Sequence, residues 1–144
     1  MGKIIDIRDK LVSREVFDVY SACMYMPTWE KYCELANEFI SDSLVSIWGF
    51  SHENNIIGVI VIKQEETLKA EIKGIAVNPL YRKQGIAKQL VWHVFENLQL
   101  SALFAETDND AIGFYRNCGF QIDSFVKQFD EGDFQRYKCV LQKL

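Results

Sequence analysis

The sequence predicts a mixed α/β domain: a central, mostly antiparallel sheet of six to seven strands with about four helices. Three observations carry this. Strand-like and helix-like segments follow one another in the order β-α-α-β-β-β-α-β-α-β-β. Two turn-rich tetrads or triads, Glu53-Asn54-Asn55 and Asp130-Glu131-Gly132-Asp133, each separate two strand-like runs and read as hairpins. A strongly apolar run, Ile72 to Val77, leads through Asn78-Pro79 straight into an amphipathic helix.

Each element has its own reason. Lys3 to Ile7 reads as a first strand. Val12 to Tyr25 reads as a helix, with Ser13 able to accept from the first turn as a cap. Trp29 to Ile40 is a second helix, because Trp29, Tyr32, Cys33, Ala36, Phe39 and Ile40 recur at helical spacing. Leu44 to Phe50 and Ile56 to Lys63 are strands about the first hairpin turn, and Leu68 to Val77 is the next strand. Ile86 to Leu98 is the clearest helix; Ile86, Ala87, Leu90, Val91, Val94, Phe95 and Leu98 form one apolar stripe. Ala102 to Glu106 is a buried strand. Asp110 to Asn117 is a short helix, capped by Asp108 or Asp110 and stopped by Gly119. Phe120 to Val126 and Phe134 to Leu141 close the sheet as a hairpin.

At 144 residues the chain fits one domain, residues 1–144, large enough for a real core. No apolar run approaches the ~20 residues that span a membrane, and the N-terminus lacks the apolar stretch of a signal peptide. Ile5-Asp6 stands where N-myristoylation wants Ser or Thr. Cys23, Cys33, Cys118 and Cys139 show no Cys-x-x-Cys spacing and read as reduced thiols of a cytoplasmic protein. His52 and His93 are not spaced as ligands with them, so no metal is expected. A net charge of −4 argues against nucleic acid and for a cationic substrate.

The segment Val77-Asn78-Pro79-Leu80-Tyr81-Arg82-Lys83-Gln84-Gly85-Ile86-Ala87 is a phosphate cradle. A helix N-terminus carries unpaired N–H groups and partial positive charge. Gly85 lets backbone approach a ligand, Ala87 keeps the first turn uncrowded, and Arg82 and Lys83 add charge. The Gly-x-Gly-x-x-Gly and Gly-Lys-Ser/Thr patterns of the two commonest cradles are missing.

Arg82-x-x-Gly85-x-Ala87 resembles the acetyl-CoA loop of the GNAT superfamily of N-acetyltransferases. Ala111-Ile112-Gly113-Phe114-Tyr115-Arg116-Asn117-Cys118-Gly119-Phe120 is similar to that family's Ala-x-x-x-Tyr-x-x-x-Gly-Phe helix. The resemblance covers roughly residues 55–120 well. It implies a GNAT-like fold with two parallel, splayed strands at the fourth and fifth positions, and acetyl-CoA as co-substrate. It further implies that Arg82, Lys83, Gln84, Gly85, Ile86 and Ala87 hold the pyrophosphate. The backbone of Ile75, Ala76 and Val77 then binds the carbonyl and the pantetheine arm. Asp108 departs from the Asn common in the family at the CoA arm; Asn109 beside it is the substitute.

Acyl transfer needs a deprotonated amine, donors for the oxyanion and a proton for the leaving thiolate. The resemblance puts Tyr115 in the acid position; the alternative is an aromatic packed among Phe114 and Phe120. It puts Glu71 where some members carry a glutamate base; the alternative is an ion pair with Lys73 two residues on. Glu71 lies ~13 Å along the strand from the Ile75 N–H, so it would act through water. Glu106 is the rival base, and solvent alone is the third. Tyr25, Met26, Trp29 and Tyr32 fall where GNAT proteins wall the acceptor pocket, or else cap the core. His93 and His52 read as structural and loop residues.

The expected activity is transfer of acetyl to a primary amine of a small molecule or peptide by direct attack in a ternary complex. No nucleic acid or membrane partner is expected, and a homodimer is open to it. The competing readings are a CoA-binding regulatory module without transfer, an acyltransferase using another acyl-CoA, and a nucleotide-binding regulator that would prefer ATP.

Overall fold

In the computed structural model, which describes residues 2–143, the most deeply buried strand of the sheet is also the richest in apolar residues. That strand, β3 (Asn55–Glu66), is buried without a break from Ile56 to Ile62. Its alternate residues feed two separate cores. Val59 and Val61 point to one, Ile60 and Ile62 to the other, as a period of two requires.

Around it lie β1 (Lys3–Asp6), β2 (Val45–His52), β4 (Lys69–Val77), β5 (Ala102–Thr107), β6 (Gln121–Phe129) and β7 (Gly132–Gln142). The order across the sheet is β1-β2-β3-β4-β5-β7-β6. All neighbours are antiparallel except β4 and β5, which run parallel. Glu53 and Asn54, both at positive φ (51° and 66°), make the tight β2–β3 turn whose twist suits a two-residue hairpin.

Helices α1 (Arg14–Tyr20) and α2 (Trp29–Ser41) cover one face. There Val16, Val19, Tyr20, Tyr32, Ala36 and Phe39 meet Val45, Ile47, Val59, Val61 and Ala76. Helices α3 (Ile86–Asn97) and α4 (Ile112–Asn117) cover the other, where Leu90, Val91, Val94, Phe95 and Tyr115 meet Ile60, Ile62, Ala70, Leu103 and Leu141. Burying one such aliphatic side chain contributes about 1.5–3 kcal/mol, so the two stripes anchor the helices strongly.

Three expectations shift. α1 stops at Tyr20; a 3-10 turn, Ser21–Cys23, carries the chain on to Met26 at φ 45°, and Pro27 follows. The residue before a proline is pushed out of the helical region, so a helix to Tyr25 has no continuation. Neither Asp108 nor Asp110 caps α4. The Asp108 carboxylate accepts instead from the Asp110 N–H at 3.0 Å, and the helix starts after Ala111. The hairpin of β6 and β7 runs longer than expected, with only Asp130-Glu131 between the strands. Gly119 does end α4: at φ 99° its N–H donates to Arg116 O (3.1 Å) and the Phe120 N–H to Tyr115 O (3.0 Å), the paired bonds of a Schellman stop.

Candidate active site

The site begins where two parallel strands part. β4 and β5 pair only from Lys69↔Ala102 to Glu71↔Phe104. Beyond that pair β4 continues to Val77 and β5 to Thr107 without meeting. A bulge drives the parting: Val61 faces Gly74 and Ile62 faces Ile72, leaving Lys73 as the extra residue on β4. A bulge bends its strand and sharpens its twist. The backbone of β4 beyond it therefore has an edge turned into the gap.

The Ile75 N–H on that edge lies near enough to the Cys23 thiol to pull its pKa down, a smaller effect than burial, which pushes it up. Cys23 ends the 3-10 turn after α1, and its thiol also lies 3.2 Å from Tyr20 O. The Tyr20 hydroxyl, which bonds the same thiol, sits over Gly74; a Cβ there would stand 1.9 Å from it. The glycine is what lets α1 approach the bulge. Cys23 is exposed as a residue, yet burial among surrounding protein pushes its thiol up to about 11.

At the end of β4 the chain turns through Pro79–Tyr81, with the Asn78 carbonyl oxygen of the side chain accepting from the Leu80 N–H. Arg82 is drawn back onto the strand end, its Nε donating to Val77 O at 3.3 Å. Lys83 (φ 64°) and Gly85 (φ 77°) are both left-handed, and nothing lies within 4 Å of where a Gly85 Cβ would be. Gln84 is exposed, while Ile86 is buried and pins the start of α3 to the core. The helices α1 and α2 begin at Ser13 and Thr28, each accepting from its own first turn. α3 begins at Gly85 with no side-chain cap, so its first N–H groups are turned outward unpaired by any side chain.

Tyr115 projects from α4 between Phe114 and Phe120, each 5.1 Å away edge-on. Burial raises its phenol above the ordinary tyrosine value, helped by Cys139, Cys23 and Cys118. Its hydroxyl makes no hydrogen bond among the described residues.

The other named residues divide. Glu71 stands at the apex of the gap and accepts from Lys73 Nζ at 2.9 Å. Glu106 lies two residues past the last β4–β5 pair, held by Lys127 Nζ and Arg136 Nε, both at 3.2 Å. Lys138 lies over the Phe104 ring on the same strand pair, so the surroundings of Glu106 are cationic. Asn109 accepts from the Tyr137 hydroxyl at 3.2 Å, which ties the loop before α4 to β7. Tyr25 and Met26 are exposed (88% and 65%). Trp29 and Tyr32 are not open to a ligand in the same way. Arg14 covers the Trp29 ring at 4.2 Å, and Tyr32 is core, 1% exposed, its hydroxyl donating to Leu11 O. Among the described residues no group of three or more His, Cys, Asp or Glu is placed to hold a metal ion. No helix is long and apolar enough to cross a membrane.

The profile of the acetyltransferase (GNAT) family matches residues 13–120. The chain belongs to the GNAT acetyltransferase family. A search of curated proteins finds no match. Among solved structures, the Escherichia coli ribosomal-protein-S18-alanine N-acetyltransferase superposes with TM-score 0.76 at 15% identity, over 99% of this chain and 94% of that one. A Bacillus subtilis acetyltransferase in complex with CoA gives 0.72 at 19%, over all of both chains. A Bacillus anthracis acetyltransferase in complex with acetyl coenzyme A gives 0.63 at 26%, over 75% of this chain and 68% of that one. The GNAT fold, with its parallel pair at β4 and β5, is therefore the fold of this chain.

The cradle and Tyr115 rest on two local motifs, and Ile75 on the family resemblance. Sequence reasoning passed over Cys23, Tyr20 and Gly74. Cys23 carries no motif; only the packing of α1 on the β4 bulge brings it to Ile75. The one local signal was Gly74 within an otherwise apolar strand, which often marks close approach by another group.

Proposed function

We propose that this GNAT protein is an acetyl-CoA-dependent N-acetyltransferase that moves acetyl to a primary amine of a small molecule or peptide within a ternary complex. The observation that carries the proposal is the shared strand. The opened edge of β4 at Ile75 leads, within ten residues, to the uncapped N-terminus of α3. One elongated ligand with an acyl end and a phosphate end suits both.

Acetyl-CoA supplies the activated acetyl thioester. Arg82 and the N–H groups from Lys83 to Ala87 hold its pyrophosphate, and the backbone of Ile75, Ala76 and Val77 receives the arm and the carbonyl oxygen. A preorganised N–H aimed at a developing oxyanion is worth about 2.7–4 kcal/mol in transition-state stabilisation. Tyr115 serves the leaving sulfur. Because burial holds its phenol above the ordinary range, it stays protonated at neutral pH. It therefore acts chiefly by hydrogen bonding to the thiolate rather than by giving its proton away. The Asn109 amide nitrogen is left to donate while its oxygen is taken by Tyr137. Deprotonation of the amine is assigned to Glu71, Glu106 or water. Either carboxylate must first exchange a bound Lys or Arg for the incoming amine. Tyr25 and Met26 are the exposed groups of the α1–α2 segment that remain for an acceptor.

Calorimetry with acetyl-CoA and with ATP tests the donor, followed by turnover against polyamines, aminoglycosides, amino acids and peptides. Acetyl-CoA binding with turnover of at least one amine is expected. ATP preference over CoA ends the proposal; CoA binding without turnover leaves a CoA-binding module.

A further inference from the structure

Exposed apolar side chains gather on the β6–β7 hairpin: Val126 (66%), Phe134 (50%), Phe129 (43%) and Phe125 (36%). β6 ends the sheet, and along the strand only Ile122 is not exposed. Its outer edge presents unpaired N–H and C=O groups. The usual guards of such an edge are thin here: β6 has no proline and no bulge, and only Asp123 and Lys127 are charged. The outer half of the hairpin also lacks support. β5 pairs with β7 only as far as Thr107↔Tyr137, so residues 125–129 and 132–136 pair with each other alone. A two-stranded hairpin by itself is marginal in water.

We propose that β6 pairs antiparallel with β6 of a second copy of this chain, about a two-fold axis at Phe125. The strand's own sequence selects this register. β6 runs from Gln121 to Phe129, so Phe125 is its middle residue and an axis there pairs the whole strand. Such an interface must be self-complementary. Asp123 and Lys127 lie equally far on either side of Phe125, so Asp123 stands opposite the partner's Lys127, and Lys127 opposite the partner's Asp123. Residues two apart share a face, so the two ion pairs flank a pair of Phe125 rings. Opposite charges and aromatic pairs directly across strands favour pairing. Moving the axis to Ser124 or Val126 would set both charges against uncharged residues. Asp123 is free for this role. It is in no ion pair among the described residues, and Lys138, its neighbour across the hairpin, lies over the Phe104 ring instead. Lys127 already holds Glu106 at 3.2 Å, but an ammonium has three N–H donors and can take the partner's Asp123 as well.

Sedimentation equilibrium on the wild type, Asp123→Lys and Lys127→Asp tests the pairing. The wild type is expected to be a dimer. Either variant sets like charges opposite one another twice, and should raise the dimer Kd at least about tenfold. Mixed together, the two variants should associate again, because every charge then meets its opposite; damage to folding would not be cured by mixing. Phe125→Cys tests the axis. Directly opposed residues have Cα atoms about 4.5–5.5 Å apart, within disulfide reach, so oxidation should give a covalent dimer that the wild type does not form. Val126→Cys, which lies diagonally from its own copy, should not cross-link. A monomeric wild type overturns the inference. So does a dimer whose Kd neither charge variant changes, a mixture that does not associate, or a Phe125→Cys protein that stays uncross-linked.

Discussion

The layer made by α1 and α2 and the mouth between β4 and β5 are built from the same polar groups, treated in opposite ways. In the helical layer the chain satisfies itself. Ser13 and Thr28 cap their own helices, Tyr32 donates to Leu11 O, and the Arg8 guanidinium donates to the carbonyls of Phe39, Ile40, Asp42 and Val45. At the mouth it does not. α3 has no side-chain cap, and the Tyr115 hydroxyl has no partner among the described residues. Buried polar groups cost free energy unless paired. An open group is not by itself a ligand site, since Trp48 Nε1 and His93 Nε2 are buried without a partner away from the mouth; at the mouth the open groups lie along one strand and the helix after it.

The contrast can be broken most severely at Tyr115. Tyr115→Phe should lower kcat about 10²-fold, roughly 2.7 kcal/mol, while the KM for acetyl-CoA moves little. Stability should scarcely change, because the lost hydroxyl had no partner. A variant with near-native kcat returns Tyr115 to packing among Phe114 and Phe120. The cradle comes next. Arg82→Ala should weaken acetyl-CoA binding by about 1.5–3 kcal/mol, and Gly85→Val by at least as much. Unchanged affinity in both, by calorimetry, would remove the cradle from the site.

An alkaline titration sharpens the comparison at intermediate size. Tyr20, Tyr32 and Tyr115 are all held above the ordinary tyrosine value by burial. The unfolded chain sheds these protons near pH 10 and the folded chain keeps them. Their contribution is therefore fully present below pH ~10 and falls above it, by about 1.4 kcal/mol per pH unit for each tyrosine. Tyr32→Phe should flatten that slope by one tyrosine's share, in urea unfolding followed from pH 9 upward; an unchanged slope refutes the assignment. The same variant loses the Leu11 bond and should cost about 1 kcal/mol at pH 7. The smallest effect is Thr28→Ala, about 1 kcal/mol of stability with no change in CoA affinity. If Thr28→Ala weakens CoA binding, the two regions are not separate.

The sequence made the helical layer legible because its rules are local. Ser13 as a cap and the Trp29–Ile40 stripe follow from spacing alone. Tyr32 belongs to that stripe with Ala36 and Phe39, so periodicity already placed it in the core; only the family resemblance had moved it to the acceptor pocket. The Glu71–Lys73 pair was likewise readable from an interval of two. The bulge at Lys73 was not. It depends on how β3 and β4 settle their register over many residues, and the seating of Tyr20 on Gly74 depends on the bulge. Cys23 inherits both uncertainties, since its place at Ile75 exists only after three distant segments have packed.

The parting of β4 and β5 also bears on how this chain keeps to itself. An unpaired strand edge is a template on which any other chain can build, and proteins guard outer edges with charges and irregularities. Here an additional edge lies inside the sheet, flanked on both sides by paired strands. A stranger's strand approaching from outside meets β1 or β6 first. The internal edge is open to something slender that enters end-on and closed to something that must lie alongside. The molecule thus exposes the backbone its chemistry requires without advertising it to aggregation.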